Sequence, residues 1–75
     1  MPPVPILTPA DVIKAFERLG WRVVRQKGSH IIMTMPGHIA TLSIPNHAEV
    51  ARGTLRSLIA RAGLTVERFI ETLQA

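Results

Sequence analysis

Between Trp21 and Pro45 the chain runs through three short segments rich in β-branched residues, separated by Lys27-Gly28 and Pro36-Gly37. Both dipeptides are turn signals, because glycine supplies the backbone conformations a reversal needs and proline presets φ. The spacing predicts strands near 21–26, 29–35 and 39–45. Links this short cannot hold the dozen or so residues of a parallel crossover, so the strands should form an antiparallel meander. In the second strand Ile31, Met33 and Met35 alternate with His30, Ile32 and Thr34, which places the two sets on opposite faces. If Ile31 and Met33 face a core, His30 points away from it.

Helical signals flank the meander. Thr8-Pro9-Ala10-Asp11 combines a hydroxyl cap, proline at the first helical position and an early acid, and predicts a helix over 9–19. Val12, Ile13, Phe16 and Leu19 share one face of it, and Gly20 ends it. Pro45 closes the third strand, with Asn46-His47-Ala48-Glu49 as a loop. Thr54 is expected to cap a second helix bearing Leu55, Leu58, Ile59 and Ala62 up to Gly63, and Thr65 a last one bearing Val66, Phe69, Ile70 and Leu73. The order αβββα, plus a terminal helical turn or two, predicts an α+β fold. Its expected architecture is a two-layer sandwich, a three-stranded antiparallel sheet with helices on one face.

Seventy-five residues suffice for one core. We expect an extended, poorly ordered proline-rich tail over 1–7, the fold beginning near Thr8, and a single domain over 8–75. A chain this small keeps a few kcal/mol of net stability, so a tight protein partner would be physically useful. With no cysteine, disulfide frameworks, thiolate zinc sites and thiol nucleophiles are excluded. No apolar run approaches the roughly 18 residues of a membrane span, and the start lacks the regions of an export signal, so the expected place is the cytoplasm, without membrane contact.

The formal net charge is +4, and its distribution says more than its size. No acid lies between Glu17 and Glu49, a stretch holding Arg18, Arg22, Arg25 and Lys27, and a second acid-free cluster holds Arg52, Arg56 and Arg61. Together they suggest a polyanion such as nucleic acid. An ordinary solubilising surface has equal weight on composition alone.

His30 is the sharpest catalytic candidate: it follows Gly28-Ser29 at a strand start, beside Lys27 and within reach of Arg25. Imidazole exchanges protons at physiological pH, which suits RNA cleavage, where a base deprotonates a ribose 2′-hydroxyl and cations steady the charge forming at phosphorus. The competing reading is a surface histidine in a hairpin. His38, directly after a turn, receives no role; His47 is a secondary candidate for phosphate contact. Histidine spacings of eight and nine residues fit no compact metal motif, and neither a metal nor another cofactor is expected. A lone Gly28 makes no nucleotide-binding loop, and no serine–histidine–acid order or carboxylate pair is present. The amides of Gly53 and Thr54 at a helix start, flanked by Arg52 and Arg56, form a second candidate phosphate contact.

Several of these segments together resemble the HicA family, also called YcfA-like: Gly20-Trp21 after an amphipathic helix, Gln26-Lys27-Gly28-Ser29-His30, Ile44-Pro45-Asn46-His47, and Arg52-Gly53-Thr54-Leu55-Arg56-Ser57-Leu58-Ile59 with Ala62-Gly63-Leu64. Gly-Ser-His, Pro-x-His and Gly-Thr-Leu-Arg in that order form a fairly specific combination, spread over nearly the whole chain after the proline tail. The resemblance implies a double-stranded-RNA-binding-like fold, a toxin that cleaves mRNA independently of the ribosome, and neutralisation by a HicB-type antitoxin encoded alongside. It places the catalytic histidine at His30, with Gly28 and Ser29 as its flanking motif; the proline-rich start departs from the pattern. The residues expected to meet RNA are Arg25, Lys27, Gly28, Ser29, His47, Arg52, Thr54 and Arg56. The alternative is a non-catalytic nucleic-acid-binding domain, either RNA-binding or a helix-turn-helix-like DNA binder built from Leu55 to Leu73, although Glu67 and Glu71 suit a major groove poorly.

Overall fold

The computed structural model describes residues 3–74; Met1 and Pro2 of the expected tail, and Ala75 at the end of the expected domain, lie outside the described residues. The elements run α1 (Pro9–Arg18), β1 (Arg22–Lys27), β2 (His30–Thr34), β3 (Leu42–Pro45), α2 (Arg52–Arg61) and α3 (Val66–Leu73). This is the α+β order expected, and the sheet is an antiparallel meander in the order β1-β2-β3.

Local chemistry sets the first and last helices. Thr8 Oγ1 accepts the Asp11 amide at 3.3 Å and Thr65 Oγ1 accepts that of Arg68 at 3.1 Å, each satisfying a donor with no partner inside its helix. Past α1 the backbone turns at Gly20, whose φ of +102° favours glycine; a Cβ there would also sit 3.1 Å from Met35 Sδ. The two-residue link of β1 to β2 has Gly28 at φ +59°, while Ser29 keeps a negative φ, as in a type II′ hairpin.

Three boundaries differ from expectation. The helix expected to begin at Thr54 begins at Arg52, its cap residue Ala51 offers no side-chain bond, and Thr54 lies inside the first turn. Tertiary contact fixes this start instead: Val50 is buried and its amide donates to Leu7 O at 2.8 Å. Strand β3 begins at Leu42 rather than 39, because His38 folds its own loop, its Nδ1 accepting the Ala40 amide at 3.1 Å while its ring lies 5.0 Å from that of Trp21. Nor does packed structure wait until Thr8. Val4 is 1% exposed within the core, Arg52 Nε donates to its carbonyl at 3.0 Å, and Leu7 bridges Val50. Pro3 and Pro5 favour an extended backbone here, with Val4 turned into the core and Ile6 left 48% exposed.

The core lies between the sheet and the helices. Phe16 of α1 is at its centre, 5.1 Å from Phe69 of α3 and edge-on to Trp21 at 6.3 Å, both within the range of favourable aromatic pairs. Met33, Leu42 and Ile44 meet it from the sheet, and Leu55 and Ile59 from α2, all fully or nearly fully buried. Among the described residues no helix is long and apolar enough to cross a membrane.

Candidate nucleic-acid interface

Burying Met33, Leu42 and Ile44 commits one face of the sheet to the core, and alternation leaves the other to solvent. On β2 the open face carries His30, Ile32 and Thr34. Their Cα partners on β1 are Lys27, Arg25 and Arg22, and on β3 His30 and Ile32 stand beside Pro45 and Ser43. Directly opposite residues share a face, so three cations line up along β1 next to the column headed by His30. All three, and His30 itself, are exposed, and no strand contains an acidic residue.

This alignment depends on an irregularity. Strict alternation would put Arg25 and Lys27 on one face and Arg22 on the other. Between Val23 and Arg25 the register shifts by one residue, a β-bulge at Val24. The extra residue turns Val23 toward Met33 on the core face and returns Arg22 to the side of Arg25 and Lys27. Arg22 was therefore absent from the expected contact set, although Arg-Val-Val-Arg carried a signal: in an alternating half-buried strand one arginine must face the core unless a residue is inserted.

The expected contact residues fall into two groups. Arg25, Lys27, Gly28, Ser29, His30 and His47 gather at the open face and the hairpin end of the sheet. Asn46 donates its amide to Ser29 O at 2.7 Å, which holds the loop bearing His47 beside that hairpin. A Cβ at Gly28 would meet nothing within 4 Å, so the turn's backbone is approachable. Arg52, Thr54 and Arg56 belong instead to the helical layer. Arg52 is engaged with Val4 O, and Thr54 shares a groove at the β3 edge with Thr41, Ser43 and Arg61. Arg56 lines the groove between α2 and α3 with Ile59, Leu64 and Glu67.

Electrostatically the open face is unbalanced. Among the described residues the one ion pair joins Arg68 to Glu71 at 3.6 Å on α3, so none of the β1 cations is neutralised by a neighbour. That same pair ties up the sole cation of α3, leaving Glu67 as the free charge on a helix that would have to approach DNA in a helix-turn-helix reading. No three of His, Cys, Asp and Glu come together among the described residues. His38 makes a structural bond, whereas the imidazoles of His30 and His47 make none among the described residues.

Residues 9–64 match the protein family described as HicA toxin of bacterial toxin-antitoxin. A search of curated proteins finds no match. The matched segment runs from the first turn of α1 to the turn after α2, and takes in the whole open face together with His30 and His47. The chain thus belongs to the HicA toxin family of bacterial toxin–antitoxin systems.

Proposed function

We propose that this toxin is a ribosome-independent endoribonuclease acting on mRNA in the cytoplasm, with His30 as its acid–base residue, and that a HicB-type antitoxin holds it inactive. The single domain over 8–75, with the strap before it, is the working unit. The observation that carries this reading is the open sheet face, where an exposed, unengaged imidazole stands directly across from Lys27 in a row of three unneutralised cations. A proton acceptor beside phosphate-binding charge is the minimum equipment for attack by a ribose 2′-hydroxyl.

In this reading Arg22, Arg25 and Lys27 hold successive phosphates, and the backbone of Gly28-Ser29 approaches the reacting one. Arg52 and Thr54 lie at the start of α2, and with Arg56 they extend the positive field over the helical layer. The attack uses groups of RNA and protein alone, with neither metal nor cofactor. Phosphate contact dominates because Phe16, Phe69 and Trp21 are buried and offer no stacking platform. The test is direct: the purified chain and its His30→Ala variant are incubated with single-stranded RNA, duplex RNA and DNA. RNA cut by the parent and spared by the variant supports the proposal; RNA bound but uncut by both would make the chain a binding module.

A further inference from the structure

Attack by a 2′-hydroxyl makes two proton demands, one at the attacking oxygen and one at the departing 5′-oxygen, and a single imidazole meets one of them at a time. Asp11 and Glu17 lie on α1, Glu67 and Glu71 on α3, and none on the sheet. A second proton-carrying group at the same end of the molecule would meet the other demand.

His47 is placed for it. The Asn46 amide bond to Ser29 O makes 29/46 a hydrogen-bonded pair, so that the next pair, His30/Pro45, is the close, non-bonded kind with Cα atoms about 4.5 Å apart. His47 follows Pro45 by two residues, at most about 7 Å of chain. Two side chains rooted this near each other reach one phosphodiester. The three histidines also differ in state: His38 Nδ1 is committed to the Ala40 amide and its ring to Trp21, whereas the exposed rings of His30 and His47 are uncommitted among the described residues. Glu49, two residues beyond His47, makes no ion pair with it.

We infer that His47 is a second catalytic residue, the general acid, an inference that rests on the nuclease reading above. His30 takes the proton of the 2′-hydroxyl as the 2′-oxygen bonds to phosphorus. The bond from phosphorus to the 5′-oxygen breaks, and His47, entering as imidazolium, gives its proton to that oxygen. One proton is taken and one is given, leaving a 2′,3′-cyclic phosphate and a 5′-hydroxyl end.

The test uses an RNA oligonucleotide and its analogue with sulfur in place of the bridging 5′-oxygen at the cut, since a thiolate departs without being protonated. On ordinary RNA, His47→Ala should lose about 10²–10⁴ in kcat with little change in KM. On the sulfur substrate it should return to within about tenfold of the parent, while His30→Ala stays slow; that recovery also shows that the variant is folded. No loss on ordinary RNA, a loss confined to KM, or no recovery with sulfur overturns the assignment to His47. Recovery of His30→Ala instead reverses the two roles and overturns it as well. A parent chain that cuts neither substrate removes the nuclease reading, and the inference with it, and is thereby distinguished from failure of His47 alone.

Discussion

A few side chains that no part of the core requires carry the chemistry of the open face. His30 is exposed on a face that buries nothing, so replacing it should leave the fold intact and act on chemistry. His30→Ala is expected to cost on the order of 10²–10⁴ in cleavage rate while RNA binding persists, as single-turnover rates and a filter-binding isotherm would show. The cations make the reverse case. Arg22→Ala should weaken RNA binding as much as Arg25→Ala, each lowering the slope of log affinity against log salt by about 0.7, the share of one phosphate on a single strand. Arg56→Ala, on the groove beside α3, should change it less. If Arg22 proves silent while Arg25 matters, the three-cation row is wrong. His30 and Lys27 were legible in the sequence because a hairpin and strand alternation are local properties; Arg22 was not, because its face depends on one inserted residue, Val24, downstream of it.

The elements show the same division between local and long-range causes. Helices α1 and α3 were legible to within a residue or so, since the Thr8 and Thr65 caps act within their own first turns. The start of α2 was not, because the Leu7–Val50 bridge fixes it across 43 residues of sequence. Thr65→Ala should therefore cost about 1 kcal/mol in chemical denaturation, and Thr54→Ala less, having no cap bond to lose. The bulge permits a sharper test. Deleting Val24 removes the extra residue, so that simple alternation keeps Arg22 opposite Thr34 on the open face and Val23 opposite Met33. The deletion variant should therefore keep the parent's salt dependence of RNA binding, and Val24→Ala, at a residue 54% exposed, should fall within about 0.5 kcal/mol of the parent in stability. A deletion variant that folds but binds RNA with the salt slope of Arg22→Ala would mean that this register does not set which way β1 faces.

For the whole molecule, one layer makes the core and the other surface is left for work. The described chain has a radius of gyration of 11.3 Å, close to the roughly 11 Å of a folded domain of this length, and residues 3–7 are wrapped against the body, with Val4 buried and Leu7 bridged to Val50. Removing residues 1–7 should take away the burial of Val4 and the Leu7 bridge, and lower the melting temperature by on the order of 10 °C. An unchanged melting curve would return the segment to the status of a tail. Attack at the open face is tested by an RNA with a single cut site, and the same RNA with deoxyribose at the one nucleotide 5′ to the cut, each incubated with the chain in the presence of chelator. The account predicts that the first is cut to a 2′,3′-cyclic phosphate end and that the second, lacking the attacking hydroxyl, is not cut at that bond. Cleavage of the deoxy-substituted strand at the same place, or loss of all cleavage on adding chelator, would contradict it.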